Sequence, residues 1–132
     1  MATVLYDAEC AFCCRVRDLF AALDAFGAME WMALQEPSAE RFGIPRDELR
    51  QRIYMVAGDR RWSGFEVVRQ ILLRLPAAWA AAACAVSRRP QIALPLLLAF
   101  LSPLANAPGE RAYDWISRHR WSFPGRACWP KA

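Results

Sequence analysis

Ala2-Thr3-Val4-Leu5-Tyr6-Asp7-Ala8-Glu9-Cys10-Ala11-Phe12-Cys13-Cys14 begins as a short apolar, β-favouring run and closes on a C-x-x-C pair. The residues after Cys10 have helical spacing, with Phe12, Val16, Leu19, Phe20, Leu23 and Phe26 falling at i, i+4, i+7, i+8, i+11 and i+14. A strand therefore gives way to a helix here, and Cys10 sits at or next to the helix N-terminus. That placement points to thiol redox chemistry, because the partial positive charge of a helix N-terminus favours the thiolate.

Outward from this stretch, 29–34 reads as a second strand, and Gln35-Glu36-Pro37-Ser38 is a break with Ser38 as a candidate N-cap. Next comes a mostly polar helical stretch, interrupted near Gly43-Ile44-Pro45 and resuming over 47–50. Ile53 to Val56 is a third strand, Gly58-Asp59 a turn, and Arg60 to Ser63 a return strand ended by Gly64. From Phe65, the residues Val67, Val68, Ile71, Leu72 and Leu75 predict an amphipathic helix that ends at Pro76. The order is βαβαββα, and alternation of this kind argues an α/β fold.

Residues 77–107 hold an alanine-rich helix around 79–86, a polar break at 87–91, and an apolar run over 92–101 that contains Pro95. A membrane helix needs about 20 consecutive apolar residues, and neither piece reaches that length. Two helices packed into the core are the plain expectation. The sharper one is a helical hairpin lying on a membrane or on a partner protein. A last helix is expected over 109–119, with a loop-like tail beyond it.

At 132 residues the chain is expected to form one domain, with a core over about 2–76 and a helical extension and tail over 77–132. The formal charge of +4 rests on arginines spread along the chain, with short pairs at Arg60-Arg61 and Arg88-Arg89 and one concentration at Arg118, Arg120 and Arg126 near Trp121. A solvated face accounts for that spread better than a nucleic-acid site does. The first residues lead directly into a strand and an acidic loop, without the basic and apolar regions of a signal peptide, so a cytoplasmic setting with reduced thiols is expected.

The C-x-x-C pair itself suggests a division of labour. Cys10 gains most from the helix N-terminus, and Cys13, one turn along, is within reach for disulfide closure. Attack by Cys10 on a substrate disulfide, then by Cys13 on the mixed disulfide, is the direct mechanism. Cys14 is also within reach. With Phe12 at zero and about 100° per residue, the apolar stripe centres near about 10°, Cys13 near about 100°, Cys10 near about 160° and Cys14 near about 200°. On that basis Cys13 borders the buried face as the resolving thiol, and Cys14 points outward as an accessory thiol. Asp7 and Glu9 oppose a strongly acidic thiol and argue for a reducing or moderate potential. Asp7 is read first as a partner for loop amides and a helix cap, and second as a proton acceptor beside the thiols.

With strand, D-x-x-C-x-x-C, hairpin and tail in place, the chain resembles the DCC family of thiol-disulfide oxidoreductases, a thioredoxin-like group. Leu5-Tyr6-Asp7 with Cys10 and Cys13 is similar to the family signature, and Trp62-Ser63-Gly64 to its hairpin exit. Tyr113 through Arg118-His119-Arg120, with Gly125-Arg126-Ala127-Cys128-Trp129-Pro130, is similar to its C-terminal pattern. The resemblance implies a thioredoxin-like α/β fold: a small mixed sheet flanked by helices, with a C-terminal helical extension. It also implies a protein or small-molecule thiol or disulfide as substrate, and no cofactor or metal. The chain departs from the family in having Ala8 where glycine is usual, in adding Cys14, and in lacking the proline that a thioredoxin carries before its third strand to help hold substrate.

Of the other candidates, His119 reads as a surface residue and Cys84 as a small buried apolar one. Cys128 is expected to be an ordinary packed or exposed cysteine, with the alternative that the tail folds back and presents it to the site. Two further functions compete with thiol exchange. One is a thiolate metal site built from Cys10, Cys13, Cys14 and Asp7 or Cys128. The other is a non-catalytic module that docks through 77–107.

Overall fold

A computed structural model describes residues 1–129. Its first half alternates β1 (Ala2–Tyr6), α1 (Ala11–Leu23), β2 (Met29–Ala33), a 3-10 segment (Pro37–Phe42), α2 (Arg46–Gln51), β3 (Tyr54–Ala57) and β4 (Arg60–Ser63). α3 (Phe65–Arg74) closes this βαβαββα unit, and α4 (Pro76–Arg88), α5 (Pro90–Leu101) and α6 (Asn106–His119) extend it. The strands form one mixed sheet in the order β2-β1-β3-β4. β1 runs parallel to β2 and antiparallel to β3, and β3 and β4 form the expected antiparallel hairpin. This is a thioredoxin-like α/β arrangement with a helical C-terminal part.

The pleat explains why the central strand is buried throughout. β1 is buried at all five positions, because helices cover both faces of the sheet and successive side chains point to opposite sides. Val4 and Met55 pack with Val67, Ile71 and Leu75 on one face. Leu5 and Val56 pack with Met32, Leu34, Ile44 and Leu49 on the other. Ile71 and Leu75 are fully buried, and each contributes roughly 1.5–3 kcal/mol of burial.

α1 is capped at its start by Cys10, whose sulfur accepts the Cys13 N–H at 3.3 Å. It ends at Asp24, whose carboxylate accepts the backbone N–H groups of Ala28 and Met29, both at 3.0 Å, and so feeds the chain into β2. The loop before it, with Ala8 in place of glycine, is built without a left-handed residue: among the described residues, every positive φ belongs to a glycine.

The third strand begins one residue later than its apolar pattern, and the last helix begins at Asn106 rather than Gly109. Gly109 therefore lies inside α6, where a Cβ would run into the Phe65 ring. The absent side chain lets α6 lie against the start of α3. Glu110 accepts the Phe65 N–H at 3.1 Å, capping α3 from α6, and also pairs with Arg52 at 2.8 Å. Asp114 holds the same guanidinium at 2.8 Å, and the Tyr113 hydroxyl accepts the Ile53 N–H at 2.8 Å. α6 is thus pinned to the segment entering β3, on the side where α1 begins.

α4 starts at Pro76, where a helix tolerates proline best, and α5 continues through Pro95. The two pack against each other, yet neither contributes a buried residue. The expectation that this segment packs into the core is corrected on that point: the sheet is already covered, so the outer faces of the pair have nothing left to pack against. Cys84, expected to be buried, is exposed on α4 for the same reason.

Candidate functional site

Cys10 and Cys13 are free thiols with their sulfurs 2.8 Å apart at the start of α1. Cys10 has no exposed surface, whereas Cys13 is half-buried, so the expectation that Cys13 is the more sheltered of the two is corrected. The Cys13 thiol donates to Cys10, and this hydrogen bond is the main cause that lowers the Cys10 pKa from 9.0 to about 6. Burial opposes the shift, the Cys13 backbone N–H and the Arg120 guanidinium assist it, and Asp7 opposes it. The same sulfur–sulfur hydrogen bond, together with burial, pushes the Cys13 thiol well up. The pair is therefore split into a thiolate and a held proton. Asp7 opposes the thiolate as expected, but it is the smallest of the causes, so the expectation that the acidic loop keeps this thiol from becoming acidic is corrected.

Asp7 is buried at the end of β1. Its Oδ1 accepts the Glu9 N–H at 3.0 Å and the Gln35 side-chain amide at 2.8 Å. Gln35 in turn accepts the Ala8 N–H at 3.2 Å, so one residue from the loop after β2 holds the start of the turn that delivers Cys10. The other Asp7 oxygen lies 4.0 Å from Arg120 Nη2, and Arg120 Nη1 lies 3.8 Å from the Cys13 sulfur. Arg120 also donates to the Arg50 carbonyl. Asp7 bonds a loop amide as expected, but the helix cap is the Cys10 sulfur itself.

Cys14 and Cys128 depart furthest from expectation. Cys14 is buried, and its sulfur is bonded to that of Cys128, with the Cα atoms 6.0 Å apart. The outward angle assigned to Cys14 is corrected, as is the reading of Cys128 as an ordinary packed or exposed cysteine. The reason lies in what the apolar stripe of α1 faces. Phe12, Val16 and Phe20 line a cavity, Leu19 and Phe26 are exposed, and the helix turns Cys14 toward Tyr6, Ala8 and Ala33 at the sheet. The expected reduced state of all five thiols likewise fails for this pair.

The bonded tail runs beside the thiol loop. Ala8 O accepts the N–H groups of Cys128 at 3.1 Å and Trp129 at 3.0 Å. Phe123 stacks on Phe12 at 4.9 Å between ring centroids, and Gly125 lies close to Ala11 and Arg15. Cys10 is thus flanked by tail contacts on both sides. Pro130, the last residue of the tail pattern, lies outside the described residues.

Beside Cys13 opens a cavity of about 230 Å³ with an almost wholly apolar lining. Phe12, Val16 and Phe20 of α1 form one wall, Tyr113 and Ile116 of α6 another, and Asp7, Arg52 and Arg120 its few polar points. Gln35, Arg52 and Arg120 escape sequence reasoning as site residues. The one signal for Arg120 is its place in the arginine cluster beside Trp121. His119 stays outside the site: it is exposed, stacked on Trp115, with its ring nitrogen 2.7 Å from the Trp115 carbonyl. No group of three or more His, Cys, Asp or Glu side chains placed to share an ion is found among the described residues, and two members of the candidate metal set, Cys14 and Cys128, are bonded to each other.

Residues 4–94 match the family model described as DCC1-like thiol-disulfide oxidoreductase. The chain belongs to this family. No match is found among curated proteins or among solved structures.

Proposed function

We infer that this family member exchanges thiols and disulfides with Cys10 as the attacking thiolate and Cys13 as the resolving thiol. The observation that carries this reading is the pair of free sulfurs 2.8 Å apart at a helix N-terminus, one held as thiolate and the other as proton donor. In the reductive direction the Cys10 thiolate attacks one sulfur of a substrate disulfide, and the other substrate sulfur leaves as thiolate. Cys13 then gives up its proton and attacks the Cys10 sulfur, and the second substrate thiolate departs as the Cys10–Cys13 bond forms. The substrate gains the two electrons that the cysteine pair loses. Asp7, at the rim of the same cavity, takes the Cys13 proton.

The cavity favours a disulfide with an apolar group next to the reacting sulfur, since its lining offers few polar partners and about 230 Å³ accepts one small side chain or substituent. Cys13 lines this cavity and Cys10 does not. Cys10 has no exposed surface, so its attack needs an opening around it, and on this reading the segment that moves is the tail, which lies against Ala8, Ala11 and Phe12 and is tied down by the Cys14–Cys128 bond.

Insulin disulfide reduction with wild type, Cys10→Ser and Cys13→Ser tests the assignment. Loss of turnover in both variants is expected, with a trapped mixed disulfide on Cys10 in Cys13→Ser. Full turnover by Cys10→Ser overturns it.

A further inference from the structure

Between Val67 and Gly109 the chain has no acidic residue, and its charged positions are Arg69, Arg74, Arg88 and Arg89. Arg69 is buried, pairs with Glu66 and donates to the Ser102 carbonyl, fixing the foot of the α4–α5 hairpin. Arg74 lies over the Trp62 ring. Arg88 and Arg89, exposed at the bend between the two helices, are what remains as the charge of the hairpin.

Apart from the exposed Ser87 and Gln91 next to that bend, the hairpin surface is apolar. Ala82 and Val86 of α4 and Ala93 and Leu97 of α5 line a groove between the two helices. Outside it, Trp79, Ile92, Leu94, Leu96, Leu98 and Leu101 are 39–65% exposed. An apolar surface this continuous signals an interaction site. At 13 and 12 residues the helices are about 18–20 Å long, short of the roughly 30 Å of a bilayer's hydrocarbon core. Among the described residues no single helix is long and apolar enough to cross a membrane.

We propose that the α4–α5 hairpin docks the protein on an anionic lipid membrane, lying in the interface rather than crossing it. Its leucine and isoleucine side chains enter the boundary between headgroups and acyl chains, and Arg88 and Arg89 engage the lipid phosphates. Trp79 stands at the foot of the hairpin with its indole N–H donated to the Leu73 carbonyl at 2.9 Å, the amphipathic position such a ring takes at a membrane surface. Charge favours lipid over a second copy of the chain. Two hairpins packed in parallel would bring four arginines together, and in either direction the hairpin offers no carboxylate to neutralise them. The proposal is independent of the thiol chemistry.

Flotation with phosphatidylcholine vesicles, with and without phosphatidylglycerol, tests it. Wild type is expected to float with the anionic vesicles and to bind pure phosphatidylcholine far more weakly. Arg88→Gln with Arg89→Gln removes the charge contact and is expected to weaken anionic binding about thirtyfold. Leu96→Ser with Leu98→Ser, both at exposed positions, is expected to abolish flotation while the circular dichroism spectrum stays that of wild type. Absence of wild-type flotation overturns the proposal, as does flotation that survives the leucine substitutions. A wild-type dimer in light scattering that the leucine variant splits, with no vesicle binding by either, assigns the face to self-association and also overturns it.

Discussion

Cys128 is bonded to Cys14 across a sequence separation of 114 residues, so the end of the chain is tied to the first turn of α1, one residue beyond the Cys10–Cys13 pair. The bond closes nearly the whole chain into a loop and fixes the tail beside the thiols. In the chain-entropy account a loop of this size stabilises by about 4–5 kcal/mol, and native disulfides commonly deliver about 2–4 kcal/mol. Cys128→Ser is expected to lose about that much in urea denaturation. Reductant should lower the wild-type melting temperature and leave that of Cys128→Ser unchanged.

The same bond is expected to control access to Cys10. Cys10 has no exposed surface while the tail lies against Ala8, Ala11 and Phe12. Iodoacetamide should label Cys10 faster by about tenfold or more in Cys128→Ser than in wild type, because local opening of the tail then no longer works against a covalent tie. Equal rates in native buffer would show that the tail does not cover the nucleophile.

The thiol pair predicts a particular pH profile. Thiolate absorbance of the reduced protein should rise with a midpoint near about 6, and Cys10→Ser should remove that step. Arg120→Ala should raise the midpoint, since the guanidinium favours the thiolate, and Asp7→Asn should lower it, since the carboxylate opposes it. The linkage has a definite sign. The folded pKa of Cys10 lies below the ordinary 9.0, so its contribution to stability is fully present above about 9 and is lost as pH falls through about 6. Cys13, shifted the other way, offsets part of this at high pH.

Tyr113 links the C-terminal helix to the strand entry through the Ile53 N–H. Tyr113→Phe keeps the ring and removes the acceptor, leaving that amide without its partner at a cost of about 1–3 kcal/mol. Faster hydrogen exchange at the Ile53 amide, with β3 unchanged, is the expected signature.

Gly109→Ala places a methyl against the Phe65 ring and must push α6 away from α3. A cost of about 1–3 kcal/mol is expected from the overpacking. Because α6 leads directly into Arg120, the same substitution should raise the Cys10 midpoint, and an unchanged midpoint would show that Arg120 is placed independently of α6.

Much of the fold was legible in local pattern. The apolar run of β1, the helical spacing after Phe65, and the Gly58-Asp59 turn each depend on neighbours a few residues apart, so period and turn chemistry sufficed to place them. The C-x-x-C pair was legible for the same reason, since i and i+3 on a helix meet whatever surrounds them. Cys14 was not. Its direction depends on which side of α1 meets the sheet and which side borders a cavity, and helical periodicity does not distinguish a filled core from an open one. Cys84 was misread similarly, because an alanine-rich helix is covered only if some other element is left to cover it.

By itself, then, the sequence determined the βαβαββα order, the seat of Cys10 at a helix start, its partner Cys13, and the position of Asp7 just before them, all relations set by short separations along the chain. Only the tertiary structure decided that Cys13 rather than Asp7 sets the acidity of Cys10, that Gln35 clamps the loop, that α6 carries Arg120 to the site, and that Cys128 closes on Cys14. Those four rest on contacts between residues brought together by packing: a sulfur–sulfur distance, a side-chain amide, a helix seated through Gly109, and a chain end folded back on its beginning.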